Sequence, residues 1–99
     1  MSLIERNIDQ LRLLCAKHSV KQLAVFGSIL TNRFRDDSDV DFLVSFNNIP
    51  LEEYADNYLQ LMTSISMLLG RDIDLVEEKA ISNPVFKNNV DRTKMMIYG

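Results

Sequence analysis

Apolar and polar positions along this chain follow two different periods, and the switches between them mark out seven elements. Ile4, Ile8, Leu11 and Leu14 recur at helical spacing behind Ser2-Leu3-Ile4-Glu5, which has the form of a capping box, so an amphipathic helix is expected through about His18. Gln22-Leu23-Ala24-Val25-Phe26 reads as a buried strand; Gly27 follows where the chain must turn sharply, and Ser28 opens a short helix. Val40-Asp41-Phe42-Leu43-Val44-Ser45-Phe46, rich in β-branched and aromatic residues, predicts a second strand. Past the turn Asn47-Asn48-Ile49-Pro50, positions 51–69 return to a helical pattern, with Glu52 and Glu53 in the first turn and Gly70 just beyond the end. Arg71-Asp72-Ile73-Asp74-Leu75-Val76 alternates as a third strand, with Ile73 and Leu75 on one face and Asp72, Asp74 and Val76 on the other. Ser82-Asn83-Pro84 supplies an N-cap region with proline at the first helical position, leading a last helix through about Lys94. The order αβαβαβα is that of an α/β fold whose strand-borne sites converge at one sheet edge or end. Met62, Met67 and the terminal Met95-Met96-Ile97-Tyr98 are expected to fill core rather than to form a partner surface.

Composition narrows the function classes. Residues 1–99 are expected to form one domain, with no linker, repeat or low-complexity tract. Fourteen acidic against 11 basic residues leave a net charge of −3, without the basic stripe of an autonomous nucleic-acid binder, and this disfavours a polymerase working on long DNA. The single Cys15 excludes an internal disulfide or a cysteine-based zinc cluster; among Leu11, Leu14 and Val20 it reads as a packing thiol. No charged-then-apolar leader opens the chain and no run of eighteen apolar residues occurs, so neither secretion nor membrane spanning is expected, and reducing cytoplasm is the simplest compartment. His18, the one histidine, is expected at the exposed end of the first helix, interacting with terminal carbonyls.

Candidate chemistry lies in two short segments. Asp39 and Asp41, two apart on a strand, point the same way. With no Lys or Arg between them they repel, and sharing a divalent cation resolves the repulsion. A further carboxylate on the third strand, Asp72 or Asp74, can reach the pair if the two strands lie side by side. Mg²⁺ takes carboxylate oxygens, keeps several waters and completes its shell with substrate phosphates. Two such ions can clamp the attacking and leaving oxygens of an in-line displacement. The acids Asp36 and Asp37 just before the pair read as solvated loop residues. At Gly27-Ser28, free backbone N–H groups and a hydroxyl can hold a phosphate.

Gly27-Ser28, nine intervening residues, then Ser38-Asp39-Val40-Asp41 running into apolar strand residues resembles the signature of the nucleotidyltransferase superfamily that includes DNA polymerase β. At average residue usage, five such fixed positions would recur by chance in roughly one chain of this length in ten thousand. The short length makes the closer resemblance the minimal nucleotidyltransferases, over nearly the whole chain, which implies a nucleotidyltransferase-like fold with a small mixed sheet. The resemblance implies that Gly27, Ser28 and Ser38 contact the nucleotide triphosphate, that Asp39 and Asp41 ligate metal, and that Asp74 is the third carboxylate and helps deprotonate the acceptor. The implied reaction is a Mg²⁺-dependent transfer of a nucleotidyl group, AMP from ATP, onto a hydroxyl, with two ions as cofactors. Many relatives carry a basic residue directly after Gly-Ser and a glycine four positions after the Ser, where this chain has Ile29 and Asn32; Arg33 and Arg35 are candidates for the missing charge. Members of the family pair with a HEPN ribonuclease toxin, and some act as antitoxins by adenylylating a tyrosine on it, so a HEPN-type protein is the implied partner. Two other readings are kept: a module that neutralises its partner by contact without turnover, and a small metal- or nucleotide-binding regulator. Assembly into a homo-oligomer is left open.

Overall fold

The computed structural model describes residues 2–99; the hydroxyl of Ser2, the expected capping group, lies outside the described side chains. The first amphipathic segment forms two helices, α1 (Ser2–Arg6) and α2 (Ile8–Lys17), rather than the one expected. Asn7 divides them at φ −114°, ψ 11°. Its side-chain amide donates to the Leu3 carbonyl at 2.9 Å while its backbone N–H reaches only Ile4, so the side chain replaces a helical bond and the turn tightens.

Four strands form one mixed sheet in the order β3-β2-β1-β4: β1 Val20–Phe26, β2 Val40–Phe46, β3 Ile73–Glu77 and β4 Met95–Tyr98. β1 runs antiparallel to β2 and β4, whereas β2 and β3 are parallel. Parallel neighbours need a crossover, and α3 (Leu51–Leu69) supplies it. The helix ends where Gly70 turns left-handed at φ 67°, its N–H donating to the Ser66 carbonyl. A last helix, α4 (Pro84–Thr93), starts at Asn83, whose side-chain oxygen accepts from the N–H groups of Val85 and Phe86.

The C-terminal segment departs from expectation. Rather than simply filling core, it forms the fourth strand on the free edge of β1, burying Ile97 and leaving Met95 and Met96 exposed. Arg12 Nε donates to the Ile97 carbonyl at 3.0 Å, fastening this strand to α2. Met67, also expected inside, is 77% exposed on the outer side of α3. His18 bonds the Leu14 carbonyl through Nδ1 as expected for a helix end, but it is buried rather than exposed; Asn57 of α3 donates to its backbone carbonyl at 2.8 Å. Cys15 is fully buried, and burial pushes its thiol up to about 12.

The two faces of the sheet are covered unequally. On one face, Leu11, Cys15, Leu61 and Ile65 of the helices pack on Leu23, Val25, Phe42 and Leu75. On the other, Val90 of α4 covers Ala24, Phe26 and Leu43, and the Phe86 ring meets Phe26 edge-on at 6.1 Å between centroids. The acids of the candidate site belong to this thinly covered face. Among the described residues, no helix is long and apolar enough to cross a membrane.

Candidate active site

Strand register alone aligns the central residues. Phe26 is opposite Asp41 across the antiparallel pair, and Asp41 is opposite Asp74 across the parallel pair. Val40, Phe42 and Leu75 belong to the helix-covered core, so the alternation of the strands sends Asp41 and Asp74 to the open face. Asp39 lies one residue before β2 rather than within it, and is exposed like Asp74, while Asp41 is half-buried. Asp72, the alternative third acid, precedes β3; its carbonyl accepts from the Val40 N–H at 3.2 Å and extends the parallel ladder by one step. Tyr58 of α3 donates its hydroxyl to the Leu75 carbonyl, holding β3 beside Asp74.

The carboxyl of Asp41 is raised from 3.8 to about 6. Burial is the largest cause, followed by the charge of Asp74, a side-chain hydrogen bond with Asp74, and the charge of Asp39. All the groups that shift it are therefore acids, which is the electrostatic situation a bound divalent cation relieves. Among the described residues, no three His, Cys, Asp or Glu side chains are gathered closely enough to hold a metal ion between them. Mg²⁺ does not require such a group, since it binds through one or two carboxylates together with water and substrate phosphate oxygens. Asp41 and Asp74, opposite each other in the parallel pair, are of the type that donor set needs.

Gly27 closes the other side of the site. It has φ +80°, and a Cβ built there would stand 2.3 Å from Asp41 Oδ2. Glycine is thus required twice, for the left-handed turn and for the space the carboxylate occupies. The 3₁₀ turn Gly27–Leu30 follows, as expected from Ser28; Thr31 closes it by donating through both N–H and Oγ1 to the Ser28 carbonyl. Ile29, at the position where many relatives carry a basic residue, is buried in the helix-side core. Asn32, Arg33 and Arg35 are exposed.

Ser38 lies in the same loop, where its Oγ accepts from the Arg35 N–H at 3.1 Å and its N–H donates back to the Arg35 carbonyl. This closes a turn immediately before Asp39. Arg71 is the residue that the sequence reading missed. Its Nη1 donates to the carbonyls of Ser38 (2.8 Å) and Arg35 (3.2 Å), and its guanidinium sits 4.6 Å over the Phe34 ring. One side chain at the foot of β3 thereby holds the loop that carries Asp39. Its place just after the helix-ending Gly70, beside two acids, was visible in the sequence; its contacts more than thirty residues away were not.

The family model described as polymerase beta, nucleotidyltransferase matches residues 9–99. A candidate protein adenylyltransferase of Methanocaldococcus jannaschii is 38% identical over 80 residues, covering 81% of this chain and 79% of its own length. The solved structure of a candidate minimal nucleotidyltransferase superposes with a TM-score of 0.78 at 28% identity, over 93% of this chain and 90% of that one. A chain from the solved complex of a tri-AMPylated Shewanella oneidensis HEPN toxin with MNT antitoxin superposes with a TM-score of 0.66 at 18% identity, over 96% and 71% of the two chains. At that identity the likeness is one of fold.

Proposed function

This chain belongs to the polymerase β-type nucleotidyltransferase family, and we propose that it moves AMP from ATP, with Mg²⁺, onto a hydroxyl of a HEPN-type partner protein. The observation that carries the proposal is the row formed by Gly27, Asp41 and Asp74, in which a turn suited to phosphate sits directly against one of two acids in register. The candidate adenylyltransferase relative supports AMP as the group moved, and the AMPylated toxin in the fold neighbour supports the class of acceptor.

In this reading Asp39, Asp41 and Asp74 hold Mg²⁺, which when bound neutralises phosphate charge and polarises the α-phosphoryl group. Gly27 lets the phosphates approach the backbone, and the Ser28 hydroxyl donates to them. Arg71 and Ser38 position the loop ahead of Asp39 so that its carboxylate faces the phosphates. The acceptor oxygen forms a bond to the α-phosphorus, the bond from that phosphorus to the bridging oxygen breaks, and pyrophosphate leaves with the electron pair. Asp74, exposed and therefore able to exchange with solvent, takes the acceptor proton.

The contact-only reading draws on one observation: with Ile29 buried, the turn lacks the basic side chain found in many relatives. Incubating the chain with α-labelled ATP, Mg²⁺ and the HEPN-type partner separates the two. Transfer requires labelled partner and released pyrophosphate, both strongly reduced in Asp74→Ala while ATP binding persists. Neutralisation of the partner without label, equal in wild type and Asp74→Ala, establishes contact alone.

A further inference from the structure

The candidate active site occupies the N-terminal ends of the parallel strands β2 and β3, where Asp41 and Asp74 are each the second residue. A separate cleft of about 320 Å³ opens at their C-terminal ends, between the last residues of β2, the first turns of α3 and the 3₁₀ turn Glu78–Ala80 that follows β3. Crevices at the C-terminal ends of parallel strands are the usual ligand positions of open α/β sheets. Two rings and a carboxylate build this one. Phe46 and Tyr54 meet edge to face, 5.6 Å between centroids and 75° between planes, and Glu77, opposite Val44 in the parallel register, adjoins Tyr54. The Tyr54 hydroxyl is buried beside that carboxylate without closing a hydrogen bond of good geometry, and burial first, then Glu77, raise its pKa above the ordinary range. Ser45 Oγ, also at the cleft, is buried with no hydrogen-bond partner among the described residues.

This lining suits a cation that has hydrogens to donate. Aromatic faces attract a cation through their quadrupoles, a carboxylate supplies the countercharge, and hydroxyl oxygens accept. The chain itself already sets an ammonium there: Lys79 Nζ stands 4.9 Å over the centroid of Tyr54 and 4.0 Å from Glu77 Oε2. It stands in for the terminal ammonium of an alkylamine. Its hold is weak, because the lysine side chain is 77% exposed and the ion pair is long, the kind of surface pair that contributes little to stability. An external ammonium that replaces it gains the same ring and the same carboxylate, and Lys79 regains its freedom in solvent. We propose that this cleft is a binding site for a primary alkylammonium ion, with Phe46, Tyr54 and Glu77 as its cage and Lys79 as its displaceable occupant. The same chemistry arrives on a free polyamine or on a lysine side chain of another protein, and the site does not depend on nucleotidyl transfer.

The three tyrosines provide a direct probe, because Tyr98 lies on β4 at the other edge of the sheet. With the full chain carrying ring-¹³C tyrosine, at constant ionic strength, n-butylammonium is expected to shift the Tyr54 ring resonances saturably and to leave those of Tyr98 in place. Its neutral counterpart n-butanol is expected to shift neither. Lys79→Ala vacates the cage and is expected to lower the half-saturating concentration about threefold. Glu77→Gln keeps the shape and removes the charge, and is expected to raise that concentration about tenfold, with unchanged Tyr98 resonances as the check on the fold. A lysine with a purely structural role would instead give Lys79→Ala a lower Tm and no gain in affinity. No saturable shift at Tyr54 in wild type, an equal shift with n-butanol, equal or weaker binding in Lys79→Ala, or unchanged binding in Glu77→Gln each overturns the proposal. Spermidine and Nα-acetyl-lysinamide then assign the source: spermidine half-saturating at or below the lysine amide identifies a free polyamine, the reverse order identifies a protein lysine, and either order supports the site.

Discussion

Replacing Gly27 by alanine adds one methyl group, and Gly70 provides the control that separates its two effects. Both glycines are left-handed, at φ +80° and +67°, so either substitution imposes a backbone cost of about 1–2 kcal/mol. For a chain of this size each kcal/mol lowers Tm by about 4–8 °C. At Gly70 a Cβ meets nothing within 4 Å, so the backbone cost is the whole effect. At Gly27 the Cβ would stand 2.3 Å from Asp41 Oδ2, and the carboxylate must retreat by most of an ångström. That movement is cheap for the fold, because the atom displaced is the end of a side chain, but it displaces the central acid of the row. A misplacement of about 1 Å in a reacting constellation costs about 10²-fold in rate. The two variants should therefore melt within a few degrees of each other, while Gly27→Ala loses about 10²-fold in AMP transfer and Gly70→Ala stays within about threefold of wild type. Thermal melts with and without Mg²⁺ and ATP, alongside initial rates of pyrophosphate release, measure both quantities. Transfer by Gly27→Ala within threefold of wild type, with the same gain in Tm from Mg²⁺ and ATP, would refute the claim that the turn and the acid form one site.

Other outcomes follow from the same geometry. Because the Asp41 carboxyl titrates at about 6 in the fold against an ordinary 3.8, the unfolded chain loses this proton first as pH rises; cation-free stability should fall between about pH 4 and pH 6 and level off above, and Asp41→Asn should flatten that slope in pH-dependent urea melts. Mg²⁺ or Mn²⁺ should raise Tm, more so with ATP, and Asp39→Asn or Asp41→Asn should each remove the gain; melting that ignores millimolar metal and nucleotide contradicts the site. Arg71→Ala removes two charge-assisted hydrogen bonds to the loop, and a loss of about 1.4 kcal/mol, near the low end for such bonds, raises half-saturation by ATP and Mg²⁺ about tenfold, with Arg71→Lys recovering part; unchanged half-saturation in equilibrium binding argues against a positioning role. Asn83→Ala deletes the cap of α4 and should lower unfolding free energy by about 1 kcal/mol in denaturant melts without altering metal-induced stabilisation.

Local signals carried the parts of the fold that local physics decides. The second strand and the long helix occupy the expected positions because alternation, the turn at 47–50 and Gly70 act within a few residues. The last helix starts where Asn83 and Pro84 indicated for the same reason. What escaped depends on distant partners. β4 has four consecutive apolar residues and no alternation, and becomes a strand only because the edge of β1 is free to pair. His18 is buried in the fold, and its carbonyl is bonded by Asn57, thirty-nine residues away. The break at Asn7 is local, but the helical spacing of Ile4, Ile8 and Leu11 concealed a side chain able to compete for the Leu3 carbonyl. In the candidate site, the spacing from Gly27-Ser28 to Asp39 and Asp41 was legible; Asp74 was singled out over Asp72 by the family resemblance, because the two share a face in the sequence pattern, and the parallel register pairs Asp74 with Asp41. The contact between Gly27 and Asp41, and the hold of Arg71 on its loop, arise only once three strands lie side by side.

The pairing of Asp41 with Asp74 across two parallel strands makes the chemistry an addition to the fold rather than one of its supports. Ile73 and Leu75 face the helices, so a one-residue slip of β3 would bury Asp74 and expose both apolar neighbours. The core thus enforces the alignment of the acids, while the mutual repulsion of the acids contributes nothing to the core. Losing a carboxylate removes a ligand and relieves that repulsion in the same substitution. A lineage of such chains can therefore abandon catalysis in a single step and keep, even firm up, the fold that carried it. Regaining it requires only the acid, because the register that would aim it has never been lost.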